Sequence, residues 1–79
     1  MPVVLRIGPY RFGFFAADRT EPPHIHVRRN RQKAKLWLTP EVRLASNERF
    51  PAHELNEIRR AVIENRELLL EKWNEFFSQ

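Results

Sequence analysis

Two histidines one residue apart, His24 and His26, stand behind paired prolines in the segment Glu21-Pro22-Pro23-His24-Ile25-His26-Val27. Alternate side chains of an extended chain leave the same face, so this spacing presents two imidazoles side by side. The prolines fix where that strand begins. Imidazole titrates near neutral pH and, when neutral, is a common metal ligand, so the pair suits two chemistries. Metal ligation needs a third and often a fourth ligand. Asp18, Glu21 and His53 are the candidates, but no local motif closes the set, and the expectation is that no metal and no cofactor is tightly held. The other chemistry is metal-free proton transfer of the ribonuclease kind, with His24 or His26 moving the proton and Lys35 steadying a phosphate. No nucleophile or paired base is recognisable beside them, so whether the chain is an enzyme stays open. A third reading gives the histidines no chemistry and makes them half-buried sheet residues packed on Trp37 and the Lys35 stem.

A second group is basic. Arg28-Arg29-Asn30-Arg31-Gln32-Lys33, with Lys35, places five cations in eight residues. Guanidinium and ammonium groups bind phosphates whatever the base sequence, and Trp37 close by could stack on an unpaired base. Arg28, Arg29, Arg31, Lys33, Lys35 and Trp37 are therefore the candidate nucleic-acid-binding residues. The plain alternative is a solvated hairpin tip.

Both groups must be positioned by one hairpin. In His24–Arg28, Ile25 and Val27 share one face; in Lys33–Leu38, Ala34, Leu36 and Leu38 do. Only one register keeps the apolar sets together: Arg28 opposite Lys33, His26 opposite Lys35, and His24 opposite Trp37. A slip of one residue would put polar groups in the core. Asn30-Arg31 leaves the turn type open. Upstream, Val3–Ile7 alternates as a short strand, Gly8-Pro9 marks a turn, and Tyr10–Ala17 reads as a longer aromatic strand. Residues 18–23 form a loop, and Val42–Ala45 is a last short strand.

A helical region follows from about Pro51, since proline at a helix start loses no hydrogen bond. Leu55, Ile58, Val62, Leu69, Trp73 and Phe76 form one stripe, which lapses at Asn65-Arg66. A straight helix over residues 51–77 would run about 40 Å. A domain of this size spans only about 30 Å, with a radius of gyration near 12 Å, so a break near Asn65 is expected. The fold class is α+β: a small antiparallel sheet of four to five short strands (residues 3–45) packed by a C-terminal helical region (51–77).

At 79 residues the chain is expected to form a single domain, residues 1–79. It has no cysteine, which excludes disulfides and thiolate metal sites and suits a reducing cytoplasm. No apolar run approaches a membrane span, and the N-terminus lacks a signal-peptide pattern. The net charge of +4 is uneven. Residues 1–50 hold ten Lys/Arg against four acids, whereas residues 51–79 hold four against six. That asymmetry points to an anionic partner for the front half, RNA, DNA or an acidic protein. Homo-oligomerisation is the remaining way for so small a core to gain burial.

These residues together resemble the bacterial and archaeal domain of unknown function 4160 family. The resemblance rests on the aromatic run Phe12–Phe15, on Pro22-Pro23-His24-Ile25-His26-Val27, on Lys33-Ala34-Lys35, on the helix start at Pro51, and on Glu67-Leu68-Leu69 followed by Trp73. Pro-Pro-His-x-His is its specific part. Family members often carry phenylalanine between the histidines, where this chain has Ile25. The resemblance implies a small α+β fold and no defined activity. It also implies a small protein partner encoded nearby, in a toxin–antitoxin-like arrangement, with contact to RNA or DNA. Interest in His24 and His26 carries over, without a catalytic role.

Overall fold

The alternation of the front half becomes a five-stranded antiparallel meander in the computed structural model, which describes residues 1–78. The strands are β1 (Val3–Ile7), β2 (Tyr10–Gly13), β3 (His24–Arg29), β4 (Gln32–Trp37) and β5 (Arg43–Glu48), ordered as in the chain. Two helices follow, α1 (Ala52–Glu64) and α2 (Arg66–Phe77). No helix among the described residues is long and apolar enough to cross a membrane.

The β3–β4 register is the one the apolar pattern demands: His24 pairs with Trp37, Ile25 with Leu36, His26 with Lys35, Val27 with Ala34 and Arg28 with Lys33. Arg29 also pairs with Gln32, so Asn30-Arg31 is a two-residue turn, with Asn30 at a φ of 54°. Asparagine tolerates that left-handed region better than most residues. Gly8, at φ 55°, does the same in the β1–β2 turn, closing Ile7 onto Tyr10.

Two strand ends differ from expectation by three residues or more, and the others by one at most. β2 stops at Gly13, not Ala17. A side chain at Gly13 would place its Cβ 2.1 Å from the Pro2 carbonyl oxygen, so the N-terminal segment crosses directly over that glycine. Beyond it, the Phe15 N–H is taken by the Asp18 carboxylate at 2.7 Å, and Ala16–Thr20 winds into a short 3-10 helix. β5 in turn runs past Ala45 to Glu48. Ser46 pairs with Lys35 and Leu44 with Leu36, so Ala45 is an extra residue, a bulge, in the edge strand.

The core is the face of the sheet under the helices. Phe12, Phe14, Ile25, Val27, Leu36 and Leu38 from the sheet region meet Ile58, Val62, Leu69 and Trp73, all buried. Each such side chain contributes about 1.5–3 kcal/mol by leaving water. The helical stripe is interrupted at Asn65 as its length requires. The Asn65 side chain donates to the Ala61 carbonyl at 2.8 Å, capping α1, and Leu69 N–H donates back to the Asn65 carbonyl at 2.9 Å as α2 starts. Arg66 anchors the second helix by donating Nε–H to the Leu38 carbonyl at 2.7 Å. The radius of gyration is 11.5 Å.

Candidate functional site

The alternation that buries Ile25 and Val27 turns His24 and His26 to the other face. There the 3-10 helix brings a third group to them. Asp18 Oδ2 accepts from Phe15 N–H and lies 3.0 Å from His26 Nε2, while Asp18 Oδ1 lies 3.2 Å from His24 Nε2. His24 is wholly buried, further in than a half-buried sheet residue. The cause is the early end of β2: Gly13 pairs with His26, and nothing of β2 runs beside His24. Trp73 from α2 fills that gap, its ring 5.2 Å from both His24 and Phe14, with Trp37 at 5.5 Å from His24. His26 keeps about a fifth of its side chain exposed and packs its ring against Phe15 at 4.7 Å.

The electrostatics follow from this packing. Burial alone would raise the Asp18 carboxyl, but the Phe15 N–H and the His26 imidazole outweigh it and hold the acid below its ordinary value. His26 is pushed down, first by burial and then by His24 and Lys35, against the pull of Asp18. His24 Nδ1 lies 2.9 Å from the Pro22 carbonyl oxygen. Its Nε2 is buried and, though close to Asp18, is not aligned for a hydrogen bond. Asp18, His24 and His26 are the groups among the described residues that could hold a metal, with one ligand atom from each lying within 4.8 Å of the others. Of the other ligands weighed from sequence, Glu21 is ion-paired with Lys35, and His53 stands exposed at the start of α1. Lys35 also lies 4.6 Å over the Trp37 ring.

The basic residues divide between the two faces. Arg29 falls on the helix side, where Glu54 accepts from it at 2.7 Å and also from Tyr10 Oη–H at 2.9 Å and Gln32 at 3.3 Å. Burial raises the Tyr10 hydroxyl to about 12, helped by Glu54 and Glu57. Arg28 and Lys33 instead stand on the open face, and the sheet adds two residues that the reading of the hairpin did not include. Arg6 pairs with Arg11, Arg11 with Arg28, Arg28 with Lys33, and Lys33 with Glu48. Four cations therefore cross the sheet in one row before an acid appears. Arg28 Nε is buried without a hydrogen-bond partner. Arg31 joins Arg28, Asn30, Lys33, Glu48 and Arg49 around a shallow concavity of about 670 Å³ at the hairpin tip. A second cleft is lined by Phe15, His26, Arg28 and Lys33, which connects the row to the histidine group.

A family model described as Domain of unknown function (DUF4160) matches residues 10–74. The chain belongs to that family. The DUF4160 match takes in Asp18, His24, His26 and their cover Trp73, together with Arg11, Arg28 and Lys33, and leaves Arg6 outside. No curated protein and no solved structure matches this DUF4160 chain.

Proposed function

We propose that this DUF4160 domain binds the phosphate backbone of RNA or DNA on the open face of its sheet. The observation that carries the reading is the row Arg6–Arg11–Arg28–Lys33. Like charges directly opposite each other on paired strands destabilise a sheet, and here three such pairs follow in succession with no acid between them. At about 4.8 Å per strand the row spans about 15 Å, and a polyanion laid across it relieves all three repulsions at once. Arg31 and Lys33 extend the basic surface to the hairpin tip. Lys35 and Arg29 contribute less, because Glu21 and Glu54 already neutralise them. Trp37 acts as a wall more than a stacking platform, since Lys35 and His24 already lie against its ring.

The test is fluorescence anisotropy with labelled single- and double-stranded probes of varied sequence over a range of salt. Affinity should fall steeply with salt through counterion release. Arg11→Ala and Arg28→Ala should each flatten the salt slope by roughly one unit, whatever the probe sequence, while Arg29→Ala should not. Absence of salt-sensitive binding at low ionic strength would sink the proposal.

One observation favours a second reading, a small hydrolase. His26 is held by Asp18 at 3.0 Å and lines the cleft that Arg28 and Lys33 share, where a phosphate would sit. In that case His26→Gln abolishes RNA cleavage and leaves binding intact; an uncleaved substrate with wild-type protein dismisses it.

A further inference from the structure

The buried ring of His24 presents an acceptor problem that the chain does not solve by itself. A carbonyl oxygen can only accept, so the Nδ1 that lies 2.9 Å from the Pro22 oxygen carries the proton. That contact fixes the ring and turns the opposite nitrogen, Nε2, into the space beside Asp18 and His26. Nε2 is wholly buried, has no hydrogen-bond partner, and lies 3.2 Å from a carboxylate oxygen. In the neutral ring two lone-pair atoms would confront each other out of water, which disfavours the folded state. A positive centre between them would complete the arrangement.

We propose that Asp18, His24 and His26 form a three-ligand site for a divalent first-row transition ion of the zinc class. The spacing is close to what an ion needs: with tetrahedral bonds of about 2.0–2.2 Å, neighbouring ligand atoms stand about 3.3–3.6 Å apart, so small side-chain shifts would admit it. The two oxygens of the Asp18 carboxylate each face one imidazole, Oδ2 at 3.0 Å from His26 Nε2 and Oδ1 at 3.2 Å from His24 Nε2, and one ligand atom from each of the three residues falls within 4.8 Å of the others. The ligands are held from behind as metal ligands usually are, since a ligating histidine gives its other N–H to a carbonyl or carboxylate. His24 gives its own to Pro22, and Asp18 is oriented by the Phe15 N–H. Two imidazoles with one carboxylate select zinc, nickel or iron over magnesium and calcium, which prefer all-oxygen sets. Three protein ligands leave a coordination position free. His26 is the ligand that also lines the cleft with Phe15, Arg28 and Lys33, so a water or an anionic oxygen would reach the ion from that side. The site does not depend on the nucleic-acid reading, because no residue of the basic row supplies a ligand.

The experiment is calorimetric titration of chelator-dialysed protein with Zn²⁺, repeated in competition with a chromophoric chelator. One ion per chain should bind, with Mg²⁺ failing to displace it. Asp18→Asn keeps the acceptor for Phe15 N–H, and His26→Ala removes the least buried ligand, so both variants preserve the fold, as circular dichroism can verify. Each should weaken Zn²⁺ at least about tenfold to a hundredfold, and His53→Ala should leave it unchanged. Zn²⁺ should raise the wild-type melting temperature more than that of Asp18→Asn at the same concentration. On binding, the ring-nitrogen NMR signals of His24 and His26 should move while those of His53, the third histidine, stay. Absence of saturable binding for Zn²⁺, Ni²⁺ and Mn²⁺ overturns the site. So does Zn²⁺ binding that neither Asp18→Asn nor His26→Ala weakens.

Discussion

Arg28 and Arg29 are neighbours in the chain and finish on opposite faces of the same strand. Arg29 lies over the Tyr10 ring at 5.9 Å and shares Glu54 with Tyr10 and Gln32, so its charge is neutralised inside the molecule. Arg28 lies between Arg11 and Lys33, with a buried Nε that nothing satisfies. The two faces differ in the same way as the two residues. The helix-covered face is closed, its apolar groups packed and its polar rim paired. The opposite face keeps like charges side by side in the open and, beneath Trp73, one buried imidazole nitrogen unsatisfied. Unsatisfied groups concentrated on one face, in a molecule that satisfies the other so fully, mark where binding energy is held in reserve.

The comparison breaks most visibly in the core. Phe12→Ala should cost about 3–5 kcal/mol, close to the whole stability of a small domain, whereas Lys33→Ala on the open face should stay within about 0.5 kcal/mol. Chemical denaturation followed by circular dichroism measures both, and equal effects would erase the distinction between faces. The two arginines come next. Arg29→Ala should destabilise by about 1 kcal/mol with little effect on nucleic-acid affinity. Arg28→Ala should weaken binding and leave stability unchanged or raise it by about 0.2–1 kcal/mol, as cross-strand repulsion is relieved. If both variants lose stability equally, the face assignment fails.

A pH effect sharpens the closed side. Tyr10 is the single tyrosine, and its folded value near 12 exceeds the ordinary 10.0. The folded state therefore holds the phenolic proton more tightly than the unfolded one. Its contribution is complete below pH 10 and is lost as pH rises towards 12. Tyrosinate absorbance should titrate near pH 12 in the folded protein, and Tyr10→Phe should flatten the alkaline loss of stability. A midpoint near 10 in folded protein would show that the hydroxyl is neither buried nor held by Glu54 and Glu57.

Much of the fold was legible because alternation leaves little freedom. Ile25 and Val27 could face Ala34 and Leu36 in only one register, and that register set His24 against Trp37. The helix break at Asn65 followed from a length too great for the domain. The site was only half legible. Asp18 was visible as a nearby acid, but its approach depends on β2 stopping at Gly13, where Pro2 passes close over the glycine, a contact between segments that no local pattern reports. An acid three residues after Phe15 was the available signal, since such an acid can take the N–H at the head of a helical turn. The basic row stayed hidden for a similar reason. Arg6 and Arg11 belong to a different hairpin from Arg28 and Lys33, and only the β2–β3 pairing joins them. Arg29 looked equivalent to Arg28 until β3 proved one residue longer and alternation sent it to the helix side.

The extra residue in β5 bears on how the molecule behaves when crowded. β5 is the last strand of the sheet and all six of its residues are exposed, so its outer backbone groups could recruit a strand from another molecule. Ala45 interrupts that invitation: a bulge bends the edge and spoils the regular ladder that a foreign strand would copy. The charged ends Arg43 and Glu48 confine any such pairing further. Deleting Ala45 would keep Leu44 over Leu36 and Ser46 beside Lys35 while straightening the edge. The shortened protein should remain folded yet self-associate at concentrations where the parent stays monodisperse, which light scattering can follow. One small residue in an exposed strand would then set the solubility limit of the whole chain.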